Sequence, residues 1–318
     1  MDSVKPIISL STCMLQSRFQ DDGYAMLCYA AEMGFEYVEL GHSTTITSME
    51  GILKAVEEGI VKVSSLHNFC PVPPFASGAV PNLFSPSTKS KIESELWRKH
   101  TLNTLEFAKQ TNAKAIVAHS GRLSYFLFEP EKRVVNFTDK FIPAELAENE
   151  KYLQEVKKFV DKSSKRAFKK DYKNLISNLQ SIEENLKESN VVIGVENREG
   201  TAELPLDWDF KQLFENFNES EFIKVWHDVG HSKIKDLKKL YSQQQLIENT
   251  LPNIVGWHLH DCSDTCKDHV AIGKGDINFD VLKQYFNPQK HIFTLELNYK
   301  VKTADAKDSL KRVQDLLA

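Results

Sequence analysis

Short apolar segments alternate with longer amphipathic segments along most of the chain. The apolar segments are rich in β-branched residues and nearly continuous in apolar character, which is typical of strands that are covered on both faces. Eight such strands are predicted, at residues 7–11, 37–41, 61–67, 115–119, 191–196, 222–228, 254–260 and 292–297. Strands of this kind belong to parallel sheets, so the pattern favours one parallel sheet.

Helical patterns separate these strands. Apolar residues recur at three- and four-residue spacing in the segments 22–33, 48–58, 89–111, 171–188, 209–216, 233–248, 279–285 and 304–317. Strict alternation of strand and helix implies right-handed crossovers. Eight such units close most economically as an α/β fold of the (β/α)8 TIM-barrel type, which makes residues 1–318 a single domain. An open doubly wound sheet competes, but it normally has fewer strands, and no Gly-x-Gly-x-x-Gly follows the first strand.

One insertion interrupts the alternation after the fourth strand, at about residues 122–170. Its features are an aromatic patch, two prolines and a charged helical stretch (Tyr125, Phe126 and Phe128; Pro130 and Pro143; residues 148–170). A segment attached there lies on the C-terminal face of the barrel, either as a lid over the active site or as a solvated helical decoration. Both interpretations stay open at this stage.

Composition narrows the class of protein. Hydrophobic residues make up 41% of the 318 residues, which is enough for a large core and argues against disorder. The 40 basic and 44 acidic residues give a net charge of −4, so a cationic surface for general nucleic-acid coating is not expected. No apolar run approaches the ~18 residues needed to span a membrane.

The cysteines and the N-terminus indicate a cellular compartment. Five cysteines are few and odd in number for this length, which favours reduced thiols (Cys13, Cys28, Cys70, Cys262 and Cys266). The N-terminal segment MDSVKPIISLS lacks the long apolar stretch of a signal peptide. We therefore expect a soluble cytoplasmic protein.

Ionisable residues cluster at the carboxyl ends of the predicted strands, where the active sites of TIM barrels lie. They are His67, His119, Glu196, Arg198, Asp228, His231, His258, His260 and Glu296. One histidine at a strand end is more often a hydrogen-bonded wall residue than a ligand. Several imidazoles and carboxylates buried together, however, would destabilise the fold without a cation, and they are ligands that Zn²⁺, Mn²⁺ or Fe²⁺ prefer. We predict a divalent-metal site at this mouth, with one ion as the first expectation and two or three as the alternative.

Alternation along the strands sorts these residues further. His258 and His260 are two positions apart, so both can face the barrel interior. In the sixth predicted strand, Trp226 and Asp228 face the barrel interior. His227 then faces the helices and is expected to be structural. His42, His100 and His291 are also expected to be structural, although His42 could line the pocket.

A rival metal site is a zinc knuckle late in the chain. The spacing of Cys262, Cys266 and His269 is close to that of structural zinc sites, with His258 and His260 upstream. It would leave the ionisable residues of the other strand ends unexplained, so we prefer the site at the barrel mouth.

The order and spacing of the strand-end residues resemble those of the xylose-isomerase-like TIM-barrel superfamily, which includes sugar isomerases, epimerases and endonuclease IV. The resemblance covers nearly the whole chain outside the insertion. It implies that one metal ion is held by Glu196, Asp228, His258 and Glu296, from the fifth to eighth strands. The Asp-x-x-His step from Asp228 to His231 is also present.

The resemblance to endonuclease IV implies further metal ligands. His67 and His119 match its ligands on the third and fourth strands, and His231 and His269 match two later ones. The segment 269–277 is also similar to its His…Leu-Gly-x-Gly-x-Ile segment.

Two departures from the superfamily pattern bear on the reaction. Endonuclease IV has an Asp two residues before the last His, where this chain has Lys267, so a third metal ion would need Asp268 or Asp261 instead. Ketose 3-epimerases have an Arg shortly after the seventh-strand His, in a Gly-Glu-x-Asn-Arg context, and the segment 261–264 has none. An epimerase of that subtype is therefore not expected.

The first functional hypothesis is a metal-dependent isomerase or epimerase of a sugar, sugar phosphate or related polyol. The metal would stabilise an enediolate while Glu196 and Glu296 move the proton. The residues assigned to substrate or to an additional metal are His67, His119, His231, His260, His269 and Arg198. Arg198 would bind a phosphate or carboxylate, or pair with Glu199. The partner is then a small sugar-like molecule, and the sequence is compatible with an oligomer without specifying one.

The alternative is an endonuclease IV-like phosphodiesterase that cuts abasic DNA with two or three metal ions. It needs a positive groove, which the insertion could supply from Lys157, Lys158, Lys162, Lys165, Arg166, Lys169 and Lys170. Their helical spacing around Phe159, Val160 and Phe168 favours a solvated helix face instead. A third hypothesis is a barrel that keeps its metal without a reaction.

Overall fold

Eight parallel strands close into one barrel in the order of the chain. In the computed structural model they are β1 (Ile7–Ser11), β2 (Tyr37–Leu40), β3 (Lys62–His67), β4 (Ala115–Ala118), β5 (Val192–Glu196), β6 (Ile223–Asp228), β7 (Ile254–Leu259) and β8 (Ile292–Leu295). Pairing of β1 with β8, from Ile7 opposite Ile292, completes the closure. The predicted TIM barrel is confirmed, and every predicted strand is present with small changes at its ends.

The structure describes residues 5–76, 79–124, 129 and 131–318. The predicted aromatic patch of the insertion (Tyr125, Phe126 and Phe128) and Pro130 lie outside the described residues. Within the described ranges, no helix has the length and apolar character that crossing a membrane requires.

Helices connect the strands on the outside of the barrel. They are α1 (Gln16–Phe19), α2 (Gly23–Glu32), α3 (Met49–Glu57), α4 (Lys91–Gln110), α5 (Glu131–Thr138), α6 (Pro143–Glu148), α7 (Glu150–Arg166), α8 (Tyr172–Gln180), α9 (Glu183–Ser189), α10 (Phe210–Phe214), α11 (Val229–Leu237), α12 (Gln243–Thr250), α13 (Phe279–Leu282) and α14 (Thr303–Leu317). Short 3₁₀ segments lie at Thr12–Met14, Asp207–Asp209, Glu215–Phe217, Leu251–Asn253 and Lys283–Tyr285, and one π-helical turn at Ala167–Asp171.

Two predicted helices are each divided into two, so the prediction of continuous helices at 171–188 and 233–248 is wrong. The first divides between α8 and α9, where the Ser181 hydroxyl donates to the Asn178 carbonyl and Ile182 turns into the core. The second divides between α11 and α12, where Lys239 has a positive φ of 53°. Apolar periodicity continued across both breaks, and side-chain hydrogen bonds and turn geometry overrode it.

The insertion contributes α5, α6 and α7. Phe159 of α7 packs edge-on against Trp208, with ring centroids 6.0 Å apart, and the buried Tyr152 hydroxyl donates to the Lys238 carbonyl. The lysines considered for a nucleic-acid groove are exposed (Lys157, Lys158, Lys162, Lys165, Lys169 and Lys170). This arrangement matches the predicted solvated helix face, and a role as a lid stays a prediction.

A tryptophan fills the centre of the barrel below the mouth. Trp226 of β6 is fully buried and packs with Ala115, Val117 and Ile292. Its indole lies over Gly256 of β7, where an added Cβ would collide with the ring. The floor of the mouth is therefore a packed apolar layer, and the ionisable residues lie above it.

Candidate metal centre

Four strands deliver the predicted principal ligands to one point. Glu196 and Asp228 are the last residues of β5 and β6, His258 lies in β7, and Glu296 follows β8 directly. All four side chains are buried, and one ligand atom from each lies within 4.8 Å of the others. The structure thus brings together the four residues that the resemblance implied as ligands, and we call them the principal group.

His258 lies at the centre of the principal group. Its Nδ1 is 3.0 Å from Glu196 Oε1, 3.1 Å from Glu296 Oε2 and 3.7 Å from Asp228 Oδ2. Three carboxylates and one imidazole form a donor set suited to zinc, manganese or iron. The residues present therefore fit a divalent ion, which would take up the space where these oxygens converge once His258 has lost its proton.

The charges of the principal group depend on one another. Burial alone would raise the pKa of the Glu196 carboxyl, but Arg198 and the histidines hold it well below its ordinary value. Burial alone would lower the pKa of His258, yet Glu296, Glu39 and Glu196 hold it well above its ordinary value. Without a metal, the His258 imidazolium therefore supplies positive charge that the buried carboxylates require.

Glu39 is a site residue that the sequence analysis missed. It lies in β2, is fully buried, and accepts a hydrogen bond from His258 Nε2, at 3.2 Å from Oε1. The Ser65 hydroxyl also donates to it, at 2.8 Å. A carboxylate behind a metal-binding imidazole orients the ring and strengthens it as a ligand. The available signal was a glutamate between Val38 and Leu40 in an otherwise apolar strand.

A second group lies on the β3–β4 side of Glu196. His119 Nε2 is 2.9 Å and His67 Nε2 is 3.7 Å from Glu196 Oε2. One ligand atom from each of these three residues lies within 4.8 Å of the others. On its far side, His119 Nδ1 contacts Asn82 Oδ1 at 2.9 Å. Glu196 therefore faces both groups, and His67 and His119 lie at the mouth as expected.

A third group lies on the β6–β7 side. His231, His260 and His269 have ligand atoms within 4.8 Å of one another, and His260 Nε2 is 3.0 Å from both Asp228 oxygens. Burial would lower the pKa of His260, but Asp228 raises it to about 9. For His231, burial dominates and lowers the pKa to about 4. The two neighbouring imidazoles therefore differ in which influence dominates, the Asp228 carboxylate for His260 and burial for His231.

This chain has Lys267 where endonuclease IV has a metal-binding Asp, and Asp268 and Asp261 are the two possible substitutes. They lie in different surroundings. Asp268 lies with His231 and Glu199 in a group of possible ligands. Asp261 instead accepts backbone N–H groups from Cys262, Gly273 and Ile277, at 2.9, 2.9 and 3.0 Å. Asp261 thus closes the loop after β7, whereas Asp268 lies close to two other potential ligands.

Arg198 places a guanidinium inside the mouth. Its Nη1 is 3.0 Å from Glu196 Oε2 and 3.5 Å from His231 Nδ1, and its Nε is 3.8 Å from Glu203 Oε1. Among the described residues its ion pairs within 4.0 Å are with Glu196 and Glu203, whereas Glu199 interacts with it only at longer range. Its side chain is 13% exposed, so the charge is held close to the ligand groups and opposes extra cations there.

A cavity of about 840 Å³ lies beside His119 and Arg198 and is not lined by the principal group itself. Its polar walls include Asn82, Ser85, Lys89, Arg122 and Glu203. Asn82 contacts His119 and Glu203 contacts Arg198, so the cavity wall connects directly with site residues. The space beside the mouth suits a small polar molecule.

The rival zinc knuckle is not formed. Among the residues that the structure describes, neither Cys262 nor Cys266 belongs to a group of three ligand atoms close enough for one ion. The Cys262 thiol instead donates to the Ser263 carbonyl. Sequence spacing suggested the knuckle, but the strand direction of β7 carries His258 and His260 into the barrel and away from the loop cysteines.

Three histidines that were expected to be structural lie against aromatic side chains of the fold. His227 packs on Trp257 with ring centroids 4.9 Å apart, and His291 accepts a hydrogen bond from the Trp257 indole at 3.0 Å. His100 stacks on Phe84. His42, in contrast, lies beside Cys13 and Glu296, two potential ligands that the sequence analysis did not connect with it.

Residues 27–316 match the family described as xylose isomerase-like TIM barrel. The chain belongs to this family. The resemblance seen at the strand ends is therefore confirmed at the level of the family. A protein of Methanocaldococcus jannaschii named as uncharacterised is 30% identical over 140 residues, which is 42% of this chain. The match spans 51% of that protein, about half the length of the curated relative.

Solved structures of low sequence identity share the fold. The 3-keto-D-glucoside 4-epimerase of E. coli has a TM-score of 0.66 at 14% identity, with 98% of this chain and all of that chain covered. The family 2 AP endonuclease of Brucella melitensis has 0.64 at 14% identity, with 98% of each chain covered. The IOLI protein with a binding zinc atom has 0.62 at 13% identity, again with 98% of each covered. These likenesses establish the fold alone.

Proposed function

We propose that this xylose isomerase-like protein is a divalent-metal-dependent isomerase or epimerase acting on a sugar, sugar phosphate or related polyol. The observation that carries the proposal is the pair of buried carboxylates that face one nitrogen of His258. Glu196 Oε1 and Glu296 Oε2 lie 3.0 and 3.1 Å from the same ring nitrogen. Two carboxylates that face one reaction point can remove a proton from a carbon beside a carbonyl and return it elsewhere.

Glu196, Asp228, His258 and Glu296 would hold the metal ion. A bound divalent ion supplies stabilisation of the negative charge that develops on substrate oxygens. Glu196 and Glu296 are both held ionised, by Arg198 and the histidines and by His258, respectively. In the proposed reaction one carboxylate takes the proton from the substrate carbon and later releases it to solvent. The other returns a proton that it has first taken up from solvent.

Arg198 and the adjoining cavity would bind the rest of the substrate. The guanidinium lies 3.0 Å from Glu196 Oε2 and can donate to a phosphate or carboxylate of the substrate. The cavity of about 840 Å³ has hydroxyl, amide and charged groups suited to sugar hydroxyls. Both features support a small polar substrate.

Elemental analysis of purified protein followed by a sugar-isomer panel tests the proposal. We expect one metal ion in the principal group of each chain and interconversion of at least one sugar or sugar phosphate. The double variant Glu196→Gln with Glu296→Gln should lose both metal and activity, whereas Glu184→Gln with Glu188→Gln, on the exposed surface of α9, should keep both. A Glu196/Glu296 variant that retains metal and activity would show that the site is misplaced.

A second candidate is a metal-dependent phosphodiesterase on abasic DNA, which would make nucleic acid the partner. The observation that favours it is the presence of two further ligand groups beside the principal one, His67–His119–Glu196 and His231–His260–His269. Arg198 between the groups and the exposed Lys267 at the position of a third-metal ligand weigh against it. Three bound ions per chain, with salt-dependent binding and cutting of an abasic duplex, would reverse the ranking.

A further inference from the structure

A mixed group of sulfur, nitrogen and oxygen ligands lies on the β1–β2–β8 side of the mouth. Cys13 belongs to the 3₁₀ turn that follows β1, His42 lies two residues after β2, and Glu296 follows β8. One ligand atom from each lies within 4.8 Å of the others. Because β8, β1 and β2 are neighbours in the closed barrel, three segments far apart in sequence meet here. We call these three residues the cysteine group.

The local backbone holds the Cys13 thiol in place. The Gly41 N–H donates to the Thr12 hydroxyl at 2.8 Å, which ties the turn after β1 to the end of β2. A Cβ added at Gly41 would collide with Cys13 Sγ, so the sulfur occupies the space that the glycine leaves. The thiol is therefore fixed next to the residue that precedes His42.

His42 is a half-buried residue with one ring nitrogen fully inside the protein. Its Nδ1 is buried and makes no hydrogen bond within the described residues. The ring packs edge-on against His67, with centroids 4.9 Å apart, so it is oriented by the second group. A buried polar atom without a partner destabilises a fold unless a ligand satisfies it.

We propose that Cys13, His42 and Glu296 bind a thiophilic divalent ion of the zinc type, separate from the ion of the principal group. Thiolate, imidazole and carboxylate are the three donor types of zinc sites, and three protein ligands leave a fourth position open to water. Thiolate selects zinc over manganese or magnesium, which prefer oxygen ligands. On binding, the Cys13 thiol loses its proton to solvent and the sulfur takes the metal bond in its place.

The two sites share one residue. Glu296 has one carboxylate oxygen, Oε2, 3.1 Å from His258 Nδ1 in the principal group. Its carboxylate also belongs to the cysteine group, so it would bridge the two ions. The inference rests on the proposed function only through this shared residue, since Cys13 and His42 have no part in that proposal.

Cobalt titration of the metal-free, full-length protein tests the cysteine group. A Co²⁺ ion bound to thiolate gives a sulfur-to-cobalt charge-transfer band in the near ultraviolet, which a site of oxygen and nitrogen ligands lacks. We expect the band in the wild type and in Cys28→Ser, a thiol outside every ligand group of the described residues. We expect it to disappear in Cys13→Ser and to need at least tenfold more cobalt in His42→Gln.

A variant of the principal group separates the two sites. Asp228→Asn should lose the ion of the principal group yet keep the charge-transfer band, because Asp228 is not part of the cysteine group. Circular dichroism and thermal melting confirm that each variant is folded. A wild type without the band, or a folded Cys13→Ser that keeps it, overturns the inference. Absence of sugar isomerisation with the band intact refutes the proposed function alone.

Discussion

The two nitrogens of His258 have different partners, and this difference defines the candidate centre. Nδ1 faces Glu196, Asp228 and Glu296, whereas Nε2 donates to Glu39 at 3.2 Å. A metal ion in the centre would take the place of the Nδ1 proton. The hydrogen bond to Glu39 would then keep the proton on Nε2 and so fix the ring in the tautomer that a metal requires.

Replacement of Glu39 tests this role. In Glu39→Gln the His258 ring loses a charged acceptor, so we expect the affinity for Zn²⁺ or Mn²⁺ to fall about 10–100-fold. Isothermal titration calorimetry of the metal-free protein measures the effect. Glu36→Gln, an exposed residue that pairs with Lys5 just before β2, is the matched control and should bind metal like the wild type. Equal affinity in both variants would remove Glu39 from the site.

At the scale of elements, the contact between β6 and β7 supports the mouth from below. Trp226 lies opposite Gly256 in the strand register, and Asp228 lies opposite His258 two residues further on. The indole occupies the space next to the glycine, so the packed layer and two of the metal ligands depend on the same pair of strands. A change in the packing of Trp226 against Gly256 would therefore affect the metal ligands as well as the core.

We expect Gly256→Ala to destabilise the fold by about 1–3 kcal/mol, since the new methyl group collides with a fully buried ring. Urea unfolding measures the loss. Trp226→Phe in the same chain makes room for the methyl, so the double variant should lose less than the sum of the two single variants. Additive losses would mean that the two residues do not compete for one space.

Asp209 links the insertion to the barrel. Its carboxyl leads us to expect that the free energy of unfolding depends on pH. It accepts hydrogen bonds from Ser164 of α7 and from the Tyr172 hydroxyl, the latter at 3.0 Å. Burial raises the pKa of its carboxyl from 3.8 to about 6. The folded state therefore keeps a proton that the unfolded chain releases, so the free energy of unfolding falls as pH rises from 3.8 through about 6.

The expected loss from Asp209 is on the order of 2 kcal/mol across this range. Urea unfolding at the two ends of the range measures it. Asp209→Asn should remove this part of the pH dependence, whereas Asp139→Asn, at an exposed position of the insertion, should leave it unchanged. If the profiles of wild type and Asp209→Asn run parallel, the carboxyl titrates normally.

At the scale of the whole molecule, the charged groups are unevenly distributed. The net charge is only −4, yet the mouth holds four buried carboxylates, Glu39, Glu196, Asp228 and Glu296. Arg198 and the charged histidines offset them in part. A divalent cation would lower the remaining repulsion, and since it binds the folded state, it should stabilise the whole barrel.

Metal removal should lower the melting temperature. Occupancy at a metal concentration 100-fold above the dissociation constant stabilises the fold by about 2.7 kcal/mol, which a chelator would reverse. Differential scanning calorimetry with and without chelator measures the shift. The double variant Glu196→Gln with Glu296→Gln lacks the principal group and should melt at one temperature in both conditions. A wild type indifferent to chelator and to added zinc would contradict the presence of a metal site.

Local patterns in the chain were enough for the barrel and for placing ionisable residues at its mouth, whereas the grouping of four of them as principal ligands came from the resemblance to the family. Apolar runs identify strands because a parallel strand buried on both faces needs them, and their order leads to closure. Glu196, Asp228 and Glu296 could be assigned because a TIM barrel places strand ends at one mouth whatever the detailed packing. Helix ends were less accessible, because the break between α8 and α9 lies at a turn with a Ser181 side-chain hydrogen bond that periodicity does not reveal.

Those local patterns could not predict contacts between residues of distant strands. Glu39 meets His258 across 219 positions of sequence, and Cys13 meets His42 and Glu296 only because β8 closes against β1. The partner of Arg198 likewise depends on side-chain orientation within the mouth. Periodicity along a chain reports which face a residue occupies, since that follows from local backbone geometry. Which residues meet across the barrel depends on strand register and closure, and these arise from many weak contacts between segments far apart in the chain.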